Sequence, residues 1–457
     1  MEQTEKLGTE SIVKLIFAYS IPSTVGMIVN AIYNIVDRMF IGRFVGEHAM
    51  AGLTISFPIM MLFHAMAVLV GVGGSSLIAI NFGKKQYEEA NRIFGNIFTL
   101  ILLTSAMAIA LLLLNLDFLL GLFRTAPEVT GYAKAYLSII FFGLFFQLAA
   151  FSLNSIMRSE GRPNLAMLAM IVSASTNIIL DYVFIVMLQL GVQGAAVATI
   201  IGQAAGFMIL IRYFFSGRSI LRIKKEYFRL KLSLVKEICS VGSASFMLHL
   251  GSSLSLSFLN ASLARYGGDA AITSLGAINS LFTMVIMPVN GIQQGLSPII
   301  GYNCGAKLKT RVLQALFAGI GIASGFATLF FAILEFFPTP FLSLFIRYDS
   351  PTMAIAVHGL RLYIASLPLI SITFLSVSYF QATAQGGKAL LLGLARQFVF
   401  LIPAILILPK AYQFDGVWIA TPVADGLAVI TALLFLLFLR EPKVKAGFPA
   451  ADASQVW

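Results

Sequence analysis

The chain has 457 residues, of which 58% are hydrophobic and only 11% charged, and its mean hydropathy is +0.90. A soluble domain carries roughly 25% charge, so a soluble globular protein is excluded and a polytopic membrane protein is expected. The net charge of +11 follows the topology of the loops and calls for no nucleic-acid partner.

The apolar runs predict an all-α polytopic membrane protein of twelve transmembrane helices, at about 13–40, 50–80, 93–116, 133–157, 164–188, 193–214, 235–264, 272–300, 311–336, 355–381, 389–409 and 416–439. The start, Met1-Glu-Gln-Thr-Glu-Lys6, lacks the basic region and cleavage site of a secretory leader, so none is expected. Of the 31 Lys and Arg, 22 fall at the termini and the even-to-odd connections, 8 on the opposite loops, and Arg396 within a helix. Basic residues concentrate on the cytoplasmic side. Both termini and the basic stretch between the halves are therefore expected to be cytoplasmic, in a bacterial-type inner membrane.

The first helix carries Pro22 and the run Asn30-Ala-Ile-Tyr33-Asn34-Ile-Val-Asp37. Asn30, Tyr33, Asn34 and Asp37 recur at steps of three and four, which places them on one face. An ionised Asp in hydrocarbon is costly and normally faces a cavity or a partner. The bland alternative is that Asp37 is solvated at the outer end of its helix and paired with Arg38 or Arg43. Pro22 removes a backbone hydrogen bond and favours a kink, either a moving hinge or a static bend.

Further along, His64 on the second helix and His249 on the seventh read as lone histidines on apolar helices. Asn154 on the fourth helix and Thr199 on the sixth add oxygens. The fifth helix holds Met170, a candidate for a pliable cavity wall, and Asn177-Ile-Ile-Leu-Asp181, two polar residues on one face. Glu335 precedes Phe-Phe-Pro338 and reads as interfacial. Arg396 on the eleventh helix and Asp425 on the twelfth reach similar depth and are expected to form a structural pair. Cys239 and Cys304 lie near cytoplasmic helix ends, where a disulfide is not expected. No His, Cys or carboxylate group has metal-site spacing, and no Walker A, GxSxG or HExxH pattern is present.

The two halves repeat. A shift of 222 positions sets Arg43 on Arg265, Gly46 on Gly268, Gly73 on Gly295, and Asn81, Gly83 and Lys85 on Asn303, Gly305 and Lys307. Six helices per half is an even number, so the repeat is parallel, with a pseudo-twofold axis along the membrane normal. The expected organisation is a six-helix lobe at 1–217, a basic cytoplasmic linker at 218–234, a second six-helix lobe at 235–440 and a cytoplasmic tail at 441–457. The symmetry is broken at its acids. Leu259 stands opposite Asp37, and an isoleucine opposite Asp181. Two carboxylates with amide and hydroxyl oxygens suit two tasks: sharing a proton, because two buried carboxylates resist joint ionisation, or caging a monovalent cation.

Pro22 with Asp37 fifteen residues on, Tyr33 one turn before that Asp, Asn177 with Asp181, Thr199, and the segment Asp415-Gly-Val-Trp418-Ile-Ala-Thr-Pro422-Val-Ala-Asp425 together resemble the multidrug and toxic compound extrusion (MATE) transporters, in particular their DinF-like branch. The resemblance covers essentially the whole chain. It implies secondary-active export of amphipathic, often cationic compounds in exchange for inward H⁺ or Na⁺. It implies a cation site, holding H⁺ or Na⁺, at Asp37, Asn177, Asp181 and Thr199, with Tyr33 and Asn154 beside it and Pro22 as the bend. No cofactor beyond the coupling ion and no enzymatic activity is implied, and a monomer in the bilayer is expected. Another branch of the family uses acids in the second lobe. Here the seventh helix, around Ser243–Arg265, and the tenth, around Tyr363–Phe380, have none. The competing readings are a lipid-linked sugar or lipid flippase of the same superfamily, which calls for a cationic cavity, and a membrane-embedded enzyme or channel, for which no motif is present.

Overall fold

The computed structural model describes residues 2–121, 123 and 125–437. The tail expected at 441–457 and the end of the second lobe at 438–440 lie outside the described residues. Among the described residues all regular structure is helical. A short helix, Glu2–Thr9, precedes twelve membrane-length helices. In the first lobe these are α1 (Ile12–Phe44), α2 (Glu47–Gly83), α3 (Tyr87–Gly121), α4 (Pro127–Ser159), α5 (Pro163–Met187) and α6 (Gly191–Phe215). In the second they are α7 (232–267), α8 (269–305), α9 (Lys309–Phe336), α10 (Thr352–Tyr363 with Leu367–Ala382), α11 (386–412) and α12 (414–437).

Two pairs run on without a loop. The 74 residues of Leu232–Gly305 would span about 110 Å as one helix, far beyond a hydrocarbon core of about 30 Å. Gly268 breaks that run at φ 66°, ψ −163°, and Gln413 separates α11 from α12 at φ 48°, ψ −124°. The left-handed backbone positions recur with the repeat. Gly46 and Gly268, Lys85 and Lys307, and Gly191 and Gln413 all have positive φ, and each pair stands 222 residues apart. The repeat is therefore written into the turns as well as into the residues.

Interruptions inside spans also recur. A 3₁₀ turn, Phe141–Gly143, breaks α4, and α10 bends by 49° between Tyr363 and Leu367. Single π-helical segments, Tyr182–Met187 in α5 and Ala395–Leu401 in α11, occupy corresponding helices. Such segments free backbone groups and re-aim side chains, which is why they gather at functional sites.

Three apolar cores define how the lobes meet. One core joins both lobes, drawing on Leu77, Ile78 and Phe82 of α2, Ile238 and Val241 of α7, and Ile299 and Ile300 of α8. The other two are private. One holds Ala108, Leu112, Tyr136 and Ile185 of the first lobe; the other holds Leu259, Leu281, Leu360 and Trp418 of the second. All shared-core residues lie toward the end that carries the linker. All private-core residues lie toward the far end. The lobes are thus fused at the linker end and parted by a cleft that opens at the far end.

The fusion depends on small residues. Gly83 of α2 and Gly305 of α8 are repeat mates that pack onto one another's helices. A methyl group on Gly83 would meet the Tyr302 carbonyl, and one on Gly305 the Ile80 carbonyl. Close backbone approach of this kind drives helix association where water is absent. Polar ties add to it. Asn303 Nδ2 and Arg311 Nη2 donate to the Leu7 carbonyl at 2.9 and 3.2 Å, binding the start of the chain to the second lobe.

The linker is packed, not loose. Asn91 Oδ1 accepts from the Arg222 N–H at 2.8 Å, and Asn96 Oδ1 from the Lys231 N–H at 2.8 Å. Glu160 Oε1 accepts from Ser219 Oγ at 2.6 Å and from the Leu221 N–H at 3.1 Å. On the outside of the first lobe, Leu103, Met107, Leu111, Leu114 and Phe118 of α3 are exposed, an apolar belt suited to lipid.

Candidate functional site

α1 and α5 run in the same direction and touch where Met170 packs over Gly26; a Cβ on Gly26 would stand 2.6 Å from the Met170 sulfur. Eleven residues further along each helix, about 16 Å at 1.5 Å per residue, come Asp37 and Asp181. The two acids therefore share a level roughly three-quarters of the way toward the far end. Asp37 is 8% exposed and Asp181 fully buried. Asp37 acts electrostatically on Asp181, and both act on Tyr33.

Around them the four expected residues come together. With its amide turned to suit both neighbours, Asn177 donates to Asp181 Oδ2 at 3.3 Å and accepts from the Thr199 N–H at 3.3 Å. The Thr199 hydroxyl donates to the Ala195 carbonyl at 3.0 Å. Asp37 Oδ1 and Asp181 Oδ1 are buried and have no hydrogen-bond partner among the described residues. Buried polar atoms are normally satisfied, and these two carboxylate oxygens are left to a partner from outside the chain. The oxygen set suits a shared proton or a small hard monovalent ion, and its donors are of the right chemistry for either.

Asp37 is buried and not solvated. Arg38 lies over the Phe57 ring at 5.2 Å and acts on Asp37 electrostatically without a direct contact, and Arg43 lies over Phe44 at 5.9 Å. The single face expected on α1 also divides into two adjacent rows. Tyr33 and Asp37 turn toward α5. Asn30 and Asn34 are exposed and bonded to each other, Asn34 Nδ2 donating to the Asn30 carbonyl at 2.8 Å and to its Oδ1 at 3.1 Å. An exposed amide pair at membrane depth belongs to a wet cleft, so these two line the cleft and not the ion site.

Asn154 is a correction. Its Nδ2 donates to the Ala166 carbonyl at 2.7 Å, and its Oδ1 accepts from Arg158. Ala166 precedes Asp181 by fifteen residues on one helix, about 22 Å. Asn154 ties α4 to α5 near the linker end and does not adjoin the acids. Met170 likewise lies about 16 Å below them, packed over Gly26.

The sequence reading missed Tyr136. It is 3% exposed on α4, faces Thr199, and feels Asp37, Asp181 and Tyr33. A tyrosine in an apolar helix is ordinarily an interfacial anchor, and nothing in the local pattern sets Tyr136 apart from Tyr132. Only the packing of α4 on α6 does. Pro22 is buried within an unbroken α1, and next to it the Ser23 hydroxyl donates to the Tyr19 carbonyl at 2.8 Å, a contact that bends helices.

Outside this site, Arg396 and Asp425 form the expected buried pair at 2.8 Å. Glu335 lies 3.4 Å from Arg361 at a helix end. His64 and His249 are not lone: they meet across the lobes with ring centroids 5.3 Å apart.

A family model described as MatE matches residues 22–183 and 244–406. The multidrug export protein MepA of Staphylococcus saprophyticus subsp. saprophyticus is 26% identical over 445 residues, covering 96% of the chain and 97% of that protein. Among solved structures, the MATE multidrug transporter DinF-BH is 39% identical with a TM-score of 0.87, covering 96% of this chain and 98% of that one. An outward-facing multidrug resistance MATE family transporter of the MOP superfamily is 26% identical with a TM-score of 0.89, covering 94% and 96%.

Proposed function

Because the chain belongs to the MATE family of multidrug efflux transporters, which are membrane carriers and not enzymes, we propose that it is a DinF-like antiporter that expels amphipathic, often cationic compounds in exchange for inward H⁺ or Na⁺ bound in the first lobe. The observation that carries this reading is the pair of buried oxygens on Asp37 and Asp181 that have no hydrogen-bond partner among the described residues. The 39% identity to DinF-BH supports the branch.

In this reading the linker end is cytoplasmic, since the linker carries six of the 31 basic residues, and both termini lie on that side of a bacterial-type inner membrane. The chain works as a monomer. The structure then corresponds to the outward-open state. A cation enters from outside and binds between Asp37 and Asp181, satisfying Oδ1 of each. Binding draws α1 against α5, with Pro22 as the place where α1 bends. That movement narrows the cleft wall at Gly26 and Met170 and releases the substrate outward. Rocking of the lobes about the shared core resets the carrier. One charge moving inward down 100 mV supplies about 2.3 kcal/mol, and coupling requires that the cation bind the two conformers unequally.

The test is Asp37→Asn in proteoliposomes, with efflux of ethidium driven by a proton gradient or by external Na⁺ in separate arms. Loss of cation-driven efflux with the fold intact is expected, and the arm that drives the wild type identifies the ion. Undiminished transport by Asp37→Asn would sink the reading.

A further inference from the structure

The second lobe contains a polar cluster in corresponding helices. The counterparts of α4, α5 and α6 are α10, α11 and α12, and the repeat sets Thr421 on Thr199. One turn beyond Thr421 on α12 stands Asp425, 2% exposed. Its Oδ1 accepts from Arg396 Nε at 2.8 Å, and its Oδ2 from Ser366 Oγ at 2.8 Å. Ser366 sits in the bend of α10, and Arg396 in the π segment of α11. The guanidinium is 7% exposed and lies over the Phe374 ring at 5.5 Å. The titratable and charged groups that face Asp425 are Arg396 from α11 and Tyr363 from α10, with Thr421 as the neighbour on its own helix.

The contrast with the first lobe is in the oxygens. Asp37 and Asp181 each keep one buried oxygen without a partner, whereas both oxygens of Asp425 are engaged. We propose that the Arg396 guanidinium occupies the cation position of the second lobe, as a built-in counterpart of the H⁺ or Na⁺ that the first lobe binds and releases. The guanidinium is tethered to α11, so unlike a dissolved cation it cannot exchange with solution. The second lobe is thereby held permanently in its loaded form, and the cation cycle is confined to Asp37 and Asp181. This rests on the first-lobe reading given above. It explains why a lobe with the same scaffold and its own buried acid does not couple.

Removing one partner of a buried pair leaves an uncompensated charge that must find another. Arg396→Gln should make Asp425 recruit a cation from solution. The experiment is the melting temperature of purified protein in detergent, measured from acidic to alkaline pH without Na⁺ and at fixed alkaline pH with increasing Na⁺. Arg396→Gln is expected to gain a stabilisation by low pH or by Na⁺ beyond that of the wild type, the responding arm naming the ion. Arg396→Lys keeps the charge and should show only the wild-type response. Arg396→Gln with Asp425→Asn should lose the added response. Asp425→Asn alone should melt lower with no new cation dependence, because the stranded charge is then positive.

The proposal is overturned if Arg396→Gln responds to both cations as the wild type does, or if the added response persists without Asp425. It is equally overturned if Asp425→Asn acquires a new response. Repeating the series in Asp37→Asn separates the two readings. Cation-driven transport surviving Asp37→Asn would defeat the first-lobe reading, while the melting response of Arg396→Gln still reports on Asp425.

Discussion

His64 of α2 and His249 of α7 meet edge to face, ring centroids 5.3 Å apart and planes at 87°, at the level where the shared core divides into two private ones. On α2 the first-lobe core reaches Met66 and the shared core begins at Ala67; on α7 the shared core reaches Leu248 and the second-lobe core begins at Leu259. Phe151 also meets His64 edge to face, with ring centroids 5.5 Å apart. This contact is the vertex about which the lobes would rock. Replacing both histidines with cysteine and joining the thiols through a short, reducible linker should leave efflux largely intact, because a pivot keeps its separation through the cycle. Arrest of transport by the linked protein, relieved on reduction, would place the pivot elsewhere.

Tyr136 offers a finer probe of the ion site than the acids. Its hydroxyl faces Thr199 while its ring packs in the first-lobe core. Tyr136→Phe keeps the packing and removes one hydroxyl. A hydrogen bond of this type contributes about 0.5–1.5 kcal/mol. The cation concentration for half-maximal efflux should therefore rise by up to about tenfold, with little change in the rate at saturation. A cation curve identical to the wild type would remove Tyr136 from the site.

What could be read from the sequence and what could not follow from one physical distinction. Asp37 and Asp181 were legible because a carboxylate in an apolar run is costly wherever the helix packs. The repeat was legible because Gly83 and Gly305, Lys85 and Lys307 hold backbone positions that tolerate few alternatives. Periodicity on one helix reports its faces but not what faces them. It merged the exposed row of Asn30 and Asn34 with the inward row of Tyr33 and Asp37, rows that differ by less than a quarter turn. It could not see that Asn154 meets Ala166, or that two histidines 185 residues apart on separate lobes touch.

Gln413 departs from the repeat in a way that should cost stability. Its mate Gly191 has φ 59° and no side chain, whereas Gln413 carries one at φ 48°, ψ −124°. That region is essentially reserved for glycine, and occupying it costs about 1–3 kcal/mol. Gln413→Gly should raise the melting temperature of the purified protein, and Gly191→Gln should lower it. An unchanged or lower melting temperature for Gln413→Gly would mean that the turn relaxes without strain.

Glu160 ties the start of the linker to the first lobe outside the membrane, and its protonation should tune that tie. Burial pushes its carboxyl above the ordinary value, a shift opposed by the donors Ser219 and Leu221; its Oε2 has no partner among the described residues. The folded form therefore holds the proton to higher pH than the unfolded form does. Between the unfolded pKa, near 4.5, and the raised folded value the native state binds more protons, so stability falls as pH rises through that window and is fullest below it. Protease cleavage in the linker around Lys224 and Lys225 should accelerate as pH rises through this window. Glu160→Gln keeps acceptor Oε1 for Ser219 and Leu221 without the charge, and should remove most of that pH dependence. Cleavage that tracks pH equally in both proteins would show that another group governs the linker.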